Sequence, residues 1–359
     1  MKRPLRLAIM LILVPVGLMA CYLISVIIYA SITDLKPPPL QEAQLLQKSS
    51  LKRVPDTISL LTWNLGYAGL GAEADFFYDG GKTVRMPEVV VQGYLKGLSL
   101  EIKRFQSEVD FFLFQEVDQA SRRSYGLNQV DSLSQILPDY AGYFAKNYQV
   151  GFVPMPIFKP LGKVKGGLAS FSKYQPIASQ RHQLEGNYAW PTKLFFLDRC
   201  FLLQRYPLAN MGRELVVINV HNSAYDDGSL KQKQMNQLKE VLLAEQAKGN
   251  YVIAGGDWNQ FPPDFRGVGA FLLEETEADS NAFVPSSFPT EEWQWAYDPA
   301  IPTNRSLAAP FDDSTTFRSI LDFFLVSPHV EVLEVRTKNL GFAFSDHQAV
   351  QLTVVLSLH

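Results

Sequence analysis

The stretch Tyr251 to Gln260, YVIAGGDWNQ, limits most strongly what this chain can fold into. Tyr251 to Ala254 is a short apolar, β-branched run that reads as a buried strand, and Gly255, Gly256, Asp257, Trp258 and Asn259 follow at once. A carboxylate and a carboxamide therefore stand at the end of a strand enclosed by apolar neighbours. The two glycines let the backbone turn sharply and approach a ligand. Asp257 and Asn259, two apart in an extended segment, point to the same side. Alone, the pattern is also that of an ordinary strand-ending turn, because Gly, Asp and Asn favour turns.

Its weight comes from repetition. The expected strand Ile58 to Trp63 ends in Asn64, Asp110 to Phe114 ends in Gln115 and Glu116, and Leu215 to Val220 delivers His221 and Asn222. Ile320 to Val326 carries Asp322, and Asp346 and His347 precede Ala349 to Leu356. Shorter strands are expected at Gly142 to Ala145, Leu168 to Ser172 and Cys200 to Tyr206, with Val330 to Thr337 near the end. Helices are expected over Val89 to Ser107, Gln129 to Leu137 and Leu230 to Ala247. Buried strands do not repeatedly finish in carboxylates, amides and imidazoles unless those ends share a cavity. The oxygen donors Asn64, Glu116 and Asp346 suit a hard cation, Mg²⁺ or Mn²⁺. Zinc fits poorly without a cysteine cluster or histidines at ligand spacing.

The N-terminus obeys other rules. Lys2, Arg3 and Arg6 precede Leu7 to Ile32, which holds no charged residue and as a helix spans about 39 Å. That is longer than the apolar core of a cleavable signal. An uncleaved anchor over residues 7–32 is expected, with residues 1–6 cytoplasmic and the rest extracytoplasmic, since positive charge stays inside. Leu18 to Cys21 resembles a lipoprotein cleavage box, but the chain stays apolar after it. Residues 33–56, with Pro37, Pro38 and Pro39, read as a linker able to stretch up to about 80 Å. Residues 57–359 then form one catalytic domain. Two cysteines, Cys21 and Cys200, leave no disulfide within it. A net charge of −3 advertises no global affinity for nucleic acid.

TWNLGY at Thr62, FQEVD at Phe114, INVHNSA at Ile218, GGDWNQFP at Gly255, RSILDFFLVS at Arg318 and SDHQAV at Ser345 together resemble the ordered motifs of the endonuclease/exonuclease/phosphatase (DNase I-like) superfamily. The resemblance covers Ile58 to Leu356. It implies an α/β fold: a four-layer α/β/β/α sandwich of two mixed sheets, here behind one transmembrane helix. By the same resemblance Glu116 is the main metal ligand, with Asn64 and Asp346. Asp257 orients or deprotonates the attacking water, and Asn259 holds a phosphate oxygen. His347, paired with Asp322, and His221 stabilise the phosphoryl group. Where DNase I-like members support the first histidine with a carboxylate, this sequence has Gly166 or Gly167.

The expected activity is metal-dependent phosphodiester hydrolysis, on nucleic acid or a lipid headgroup, with no obligate protein partner. Sphingomyelinase-like or inositol-phosphate phosphatase activity is the alternative, the latter disfavoured by the lack of a dense Lys/Arg cluster. A non-catalytic binding domain on the same scaffold is the rival of another class. Lys165 and Lys173 read as surface lysines or phosphate contacts. Trp293, Trp295 and Tyr297 read as pinning their long loop or as stacking on substrate.

Overall fold

The computed structural model describes residues 2–208, 212–224, 228–268, 271–272 and 282–357. Fourteen strands make two seven-stranded sheets. In chain order they are β1 (Leu40–Glu42), β2 (Gln44–Gln47), β3 (Thr57–Asn64), β4 (Phe111–Asp118), β5 (Ala141–Val153), β6 (Gly162–Ser172) and β7 (Ala178–Gln183). Then follow β8 (Cys200–Pro207), β9 (Glu214–His221), β10 (Tyr251–Asp257), β11 (Gln294–Ala296), β12 (Asp322–Val326), β13 (Val330–Thr337) and β14 (Val350–Leu356). One sheet runs β1-β7-β8-β9-β10-β12-β11 and the other β13-β14-β3-β4-β6-β5-β2. Only β3/β4 and β9/β10 pair in parallel, so both sheets are mixed.

Among the described residues four α-helices accompany them: α1 (Lys2–Thr33), α2 (Glu88–Phe105), α3 (Gln129–Ile136) and α4 (Ser229–Ala247). The expected apolar face of α2 is buried at Leu98, Ile102 and Phe105, against Phe112, Phe114 and the α3 residues Val130 and Leu133. On the opposite side Met235, Leu238 and Leu242 of α4 cover Val216, Ile218 and Val252. Between the sheets Leu60, Leu113, Val217, Ile253, Phe324 and Leu352 form the central core. This is the four-layer DNase I-like sandwich that the motifs imply.

The parallel pairs set the site. β3 and β4 lie side by side in one sheet, β9 and β10 in the other, so Asn64 and Glu116 end near one another and so do His221 and Asp257. The glycines of β10 serve packing more than turning, because the strand continues through Asp257. A Cβ at Gly255 would lie 2.3 Å from the Phe324 ring, and one at Gly256 2.0 Å from the Val220 carbonyl oxygen.

The linker expected over residues 33–56 is a correction. Its β1 pairs with β7 at the edge of one sheet and its β2 with β5 at the edge of the other. Ala43, between them, packs against Ala145, Leu168, Cys200 and Leu202. Open sheet edges present unpaired N–H and C=O groups that capture even a short segment, and strands of three and four residues leave no periodicity to read. β5 and β6 also run beyond the short strands expected, because they pair with each other past the end of β4. β7, with the polar sequence ASQRHQ, gave no apolar alternation to detect. Both cysteines are free.

α4 is tied to its sheet by Glu245, which accepts from Arg205 Nη2 and Nη1 at 2.7 and 2.8 Å and from Asn250 Nδ2 at 2.7 Å. Burial alone would raise the Glu245 carboxyl, but Arg205, Lys248 and Asn250 hold it down at about 2 against an ordinary 4.5. This contribution to stability is complete above pH 4.5 and is lost as the pH falls towards 2. Glu245→Gln should therefore cost about 2 kcal/mol at neutral pH, read as a lower denaturant midpoint. It should also flatten the acid limb of the stability profile; an unaltered limb would place that titration elsewhere.

Candidate active site

Asp257, at the tip of β10, is the hub. It is 2 % exposed, and its Oδ2 accepts from Asn64 Nδ2 at 3.0 Å. The same oxygen lies 3.5 Å from His221 Nε2 and 3.8 Å from His347 Nε2. Its Oδ1 accepts from the Asn259 backbone N–H at 2.9 Å. Asn259 holds a positive φ of 50°, and its amide donates to the Asn222 carbonyl at 3.0 Å, which fixes it beside the cavity.

Glu116 reaches the group by a local irregularity. The β4–β6 register shifts between Phe114 and Val117, and Glu116 takes a φ of 53° inside that bulge. An extra residue with left-handed backbone re-aims a side chain that the regular pleat would bury. Its Oε1 lies 3.4 Å from Asn64 Nδ2 and 3.9 Å from His221 Nε2. Asp346 Oδ2 is 4.0 Å from His347 Nε2. Ser345 donates to the Asn64 carbonyl at 2.8 Å, joining the segment before β14 to the end of β3.

The surroundings shift the two imidazoles in opposite directions. His347 Nδ1 sits 2.7 Å from Asp322 Oδ2. Burial opposes its charge, but Asp322, Asp257 and Asp346 raise its pKa well above the ordinary value. His221 goes the other way: burial, with help from Arg199, lowers it well below the ordinary value. Its Nδ1 is buried without a hydrogen-bond partner. The glycine substitution noted in the sequence bears on this, since Gly166 and Gly167 line the same cavity. A Cβ at Gly166 would lie 2.8 Å from Asp118 Oδ1, so that position holds no larger side chain without moving Asp118.

All eight sequence-derived residues, Asn64, Glu116, His221, Asp257, Asn259, Asp322, Asp346 and His347, thus converge. The structure adds Asn304, whose amide lies 3.0 Å from His347 Nε2, and Arg123, which pairs with Asp118 at 2.9 Å under the Tyr67 ring. Asn304 opens a two-residue strand, Asn304–Arg305, paired with Arg318–Ser319, and Arg123 lies within a turn, both too short to leave a sequence signal. Lys173 pairs with Asp110 at 3.1 Å, and neither it nor Lys165 lines the cavity. Trp293 is buried and Trp295 packs edge-on to Trp258. These aromatics pin their loop.

A hard cation suits the oxygen donors. The buried Asp346 carboxyl is pushed up to about 7, chiefly by burial, with His347 opposing and Glu116 adding to the rise. Donor atoms of Asp257, Asp322 and His347 also lie within 4.8 Å of one another. Both nitrogens of His347 are already engaged, so Asp322, His347 and Asn304 form a hydrogen-bonded relay, with Asp257 outside it at 3.8 Å.

The cavity above these groups holds about 550 Å³. Tyr78 from the Gly-rich loop after β3, with Tyr188, Phe195 and Phe196 before β8, forms an aromatic wall.

No curated protein sequence matches the chain. Solved structures do share its fold. An endonuclease/exonuclease/phosphatase from Beutenbergia cavernae DSM 12333 is 14% identical with a TM-score of 0.54, over 84% of this chain and 72% of that one. One from Bacteroides vulgatus is 16% identical with a TM-score of 0.52, over 84% and 99%. ANGEL2, a 2',3'-cyclic phosphatase, is 14% identical with a TM-score of 0.53, over 90% and 100%. The model of the Endonuclease/Exonuclease/phosphatase family matches residues 61–347, a span that contains every residue of the cluster around Asp257. The chain belongs to that family of phosphoester hydrolases.

Proposed function

We propose that this chain is a divalent-metal-dependent phosphodiesterase held at a membrane by α1, with its domain on the extracytoplasmic side. The observation that carries the reading is the convergence on Asp257 of Asn64, Glu116, His221 and His347 from separate strand ends and loops.

Glu116, Asn64 and Asp346 would hold Mg²⁺ or Mn²⁺, which supplies positive charge to offset that building on the phosphoryl oxygens. The remaining steps belong to the chain. Asp257, which lines the cavity, accepts a proton from a water whose oxygen bonds to phosphorus in line as the bond from phosphorus to the leaving oxygen breaks. Asn64 and the Asn259 backbone hold that carboxylate in one orientation. Asn259 offers its amide to a non-bridging oxygen, and neutral His221 adds a hydrogen bond there. His347, kept cationic by Asp322, faces the growing negative charge without having to reorganise. Two imidazoles with opposite protonation suit the two ends of a hydrolysis, one side receiving a proton and the other stabilising charge. The alternative of a non-catalytic scaffold fits less well, because no member of the cluster is replaced by an apolar residue.

Hydrolysis of bis(p-nitrophenyl) phosphate by the full chain in detergent, with Mg²⁺ and with a chelator, tests the reading. Glu116→Ala should abolish the metal-dependent rate with the fold intact by circular dichroism, whereas undiminished turnover would move the metal elsewhere. His347→Ala should lower kcat by about two orders of magnitude and leave the metal concentration for half-activity nearly unchanged. An equal loss of both would contradict its assigned role.

A pH profile probes the relay. Asp322 raises the His347 pKa, so removing its charge lets the imidazolium deprotonate earlier. Asp322→Asn should move the alkaline decline of kcat to lower pH, and a decline that stays in place would detach His347 from it.

A further inference from the structure

α1 is not free of the domain. Its uncharged run, residues 7–32, spans about 39 Å, against a hydrocarbon core of about 30 Å. A helix inserted with its basic end across the bilayer therefore has its last turns at headgroup depth. Those turns touch the protein. Val26 and Ala30 are buried, and α1 rests on β5 and on the 3₁₀ turn Thr192–Phe195. A Cβ at Gly151 of β5 would lie 2.6 Å from the Tyr29 hydroxyl.

Each of the two segments that α1 touches leads into apolar side chains left bare. Beyond Val153 the loop to β6 reads PMPIFKPL, with Met155 47%, Ile157 53% and Phe158 97% exposed. Immediately before the 3₁₀ turn, Trp190 is 63% exposed. Within Pro154 to Leu161 and Asn187 to Phe196 the only charged side chains are Lys159 and Lys193, while Asp34 and Asp198 lie within electrostatic reach of the second stretch. Apolar tips with a flanking lysine and a tryptophan suit the interfacial zone of a bilayer, where rings sit among headgroups and cations meet phosphates. The 3₁₀ turn also ends in Phe195, which with Phe196 and Tyr188 walls the catalytic cavity. The cavity therefore reaches from the Asp257 cluster to a wall that adjoins α1.

We propose that Met155, Ile157, Phe158 and Trp190 insert into the bilayer that α1 crosses, clamping the domain with its aromatic wall at headgroup level, and that the cavity receives an amphipathic phosphoester from that bilayer. This rests on α1 being a membrane span and, for the substrate, on the hydrolytic reading above. A nucleic acid would instead require the cavity mouth to face bulk water.

The test uses the full chain in nanodiscs of phosphatidylcholine and phosphatidylglycerol. A nitroxide is placed on native Cys21, or on Phe158→Cys or Trp190→Cys in a Cys21→Ser background. Asn236→Cys on the exposed face of α4 is the solvent control. Collisions with oxygen and with a nickel chelate report depth. Labels at 21, 158 and 190 should all favour oxygen, and the label at 236 should favour nickel. If 158 and 190 behave like 236 while 21 stays embedded, the clamp is wrong and the anchor stands. If 21 also behaves like 236, anchor and clamp fall together.

The double variant Ile157→Asp, Phe158→Asp should hydrolyse a phosphatidyl headgroup ester in the same discs about tenfold more slowly than the parent, with bis(p-nitrophenyl) phosphate turnover unchanged. Equal lipid turnover by both would remove the bilayer as the source of substrate, as would parent activity on an oligonucleotide and none on the lipid. A parent chain that cleaves none of these sinks the hydrolytic reading and the substrate with it, and the spin labels still decide the clamp.

Discussion

The hydrogen bond from Asn64 Nδ2 to Asp257 Oδ2, 3.0 Å long, joins the two sheets at the edge where the chemistry gathers. Most of the interface between the sheets is apolar, so a carboxylate entering it would lose its hydration at a cost of several kcal/mol. Asp257 is tolerated because groups from both sheets meet it, and those same groups then have no freedom to move. A polar seam beneath supports them. Gln115 donates to Asn219 at 2.8 Å and to Thr62 at 3.0 Å, and Asn219 donates to the Phe114 carbonyl at 3.1 Å. These contacts lock β4 against β9 one residue behind Glu116 and two behind His221. The site's rigidity is thus a by-product of satisfying buried polar atoms.

The same burial divides the two histidines. Both are almost wholly enclosed, which disfavours the imidazolium in each. His347 overcomes it through Asp322, hydrogen-bonded at 2.7 Å, whereas the carboxylates facing His221, Asp257 and Glu116, stand off at 3.5 and 3.9 Å. Gly166 and Gly167 bring no carboxylate to the cavity wall, and the space over Gly166 belongs to Asp118, which pairs with Arg123. Burial therefore lowers the pKa of both rings, and Asp322, with Asp257 and Asp346, reverses that for His347 alone.

Much of this was legible because strand ends are where sequence and chemistry coincide. Asn64, His221 and Asp257 close apolar runs with clear periodicity, and parallel pairing brings such ends together. Glu116 was legible as a residue, though the bulge that aims it left no mark, since nothing in FQEVD distinguishes a regular strand from one with an inserted residue. Asn304 was invisible for a different reason: its partner lies 43 positions away, beyond β12 and β13. The supposed linker failed for a third. Edge strands of three or four residues are stabilised by backbone groups of a sheet already formed, and no side-chain pattern announces that.

That failure changes the physics of the N-terminus. A flexible tether would let the domain sample every orientation above a membrane, and the site would meet a surface only by chance. Here β1 and β2 clip the two sheets together at one edge, with Ala43 seated between them. Only a few residues, three of them proline, separate β1 from the end of α1. A helix fixed at both its last turns and its continuation cannot swivel, so under the proposed membrane placement the bilayer plane is set relative to both sheets. The cavity's aromatic wall, built on the turn that α1 touches, then lies at a constant depth whatever the substrate. Ordering those residues costs conformational entropy that a tether would have kept, and a fixed orientation towards the surface is what that ordering provides.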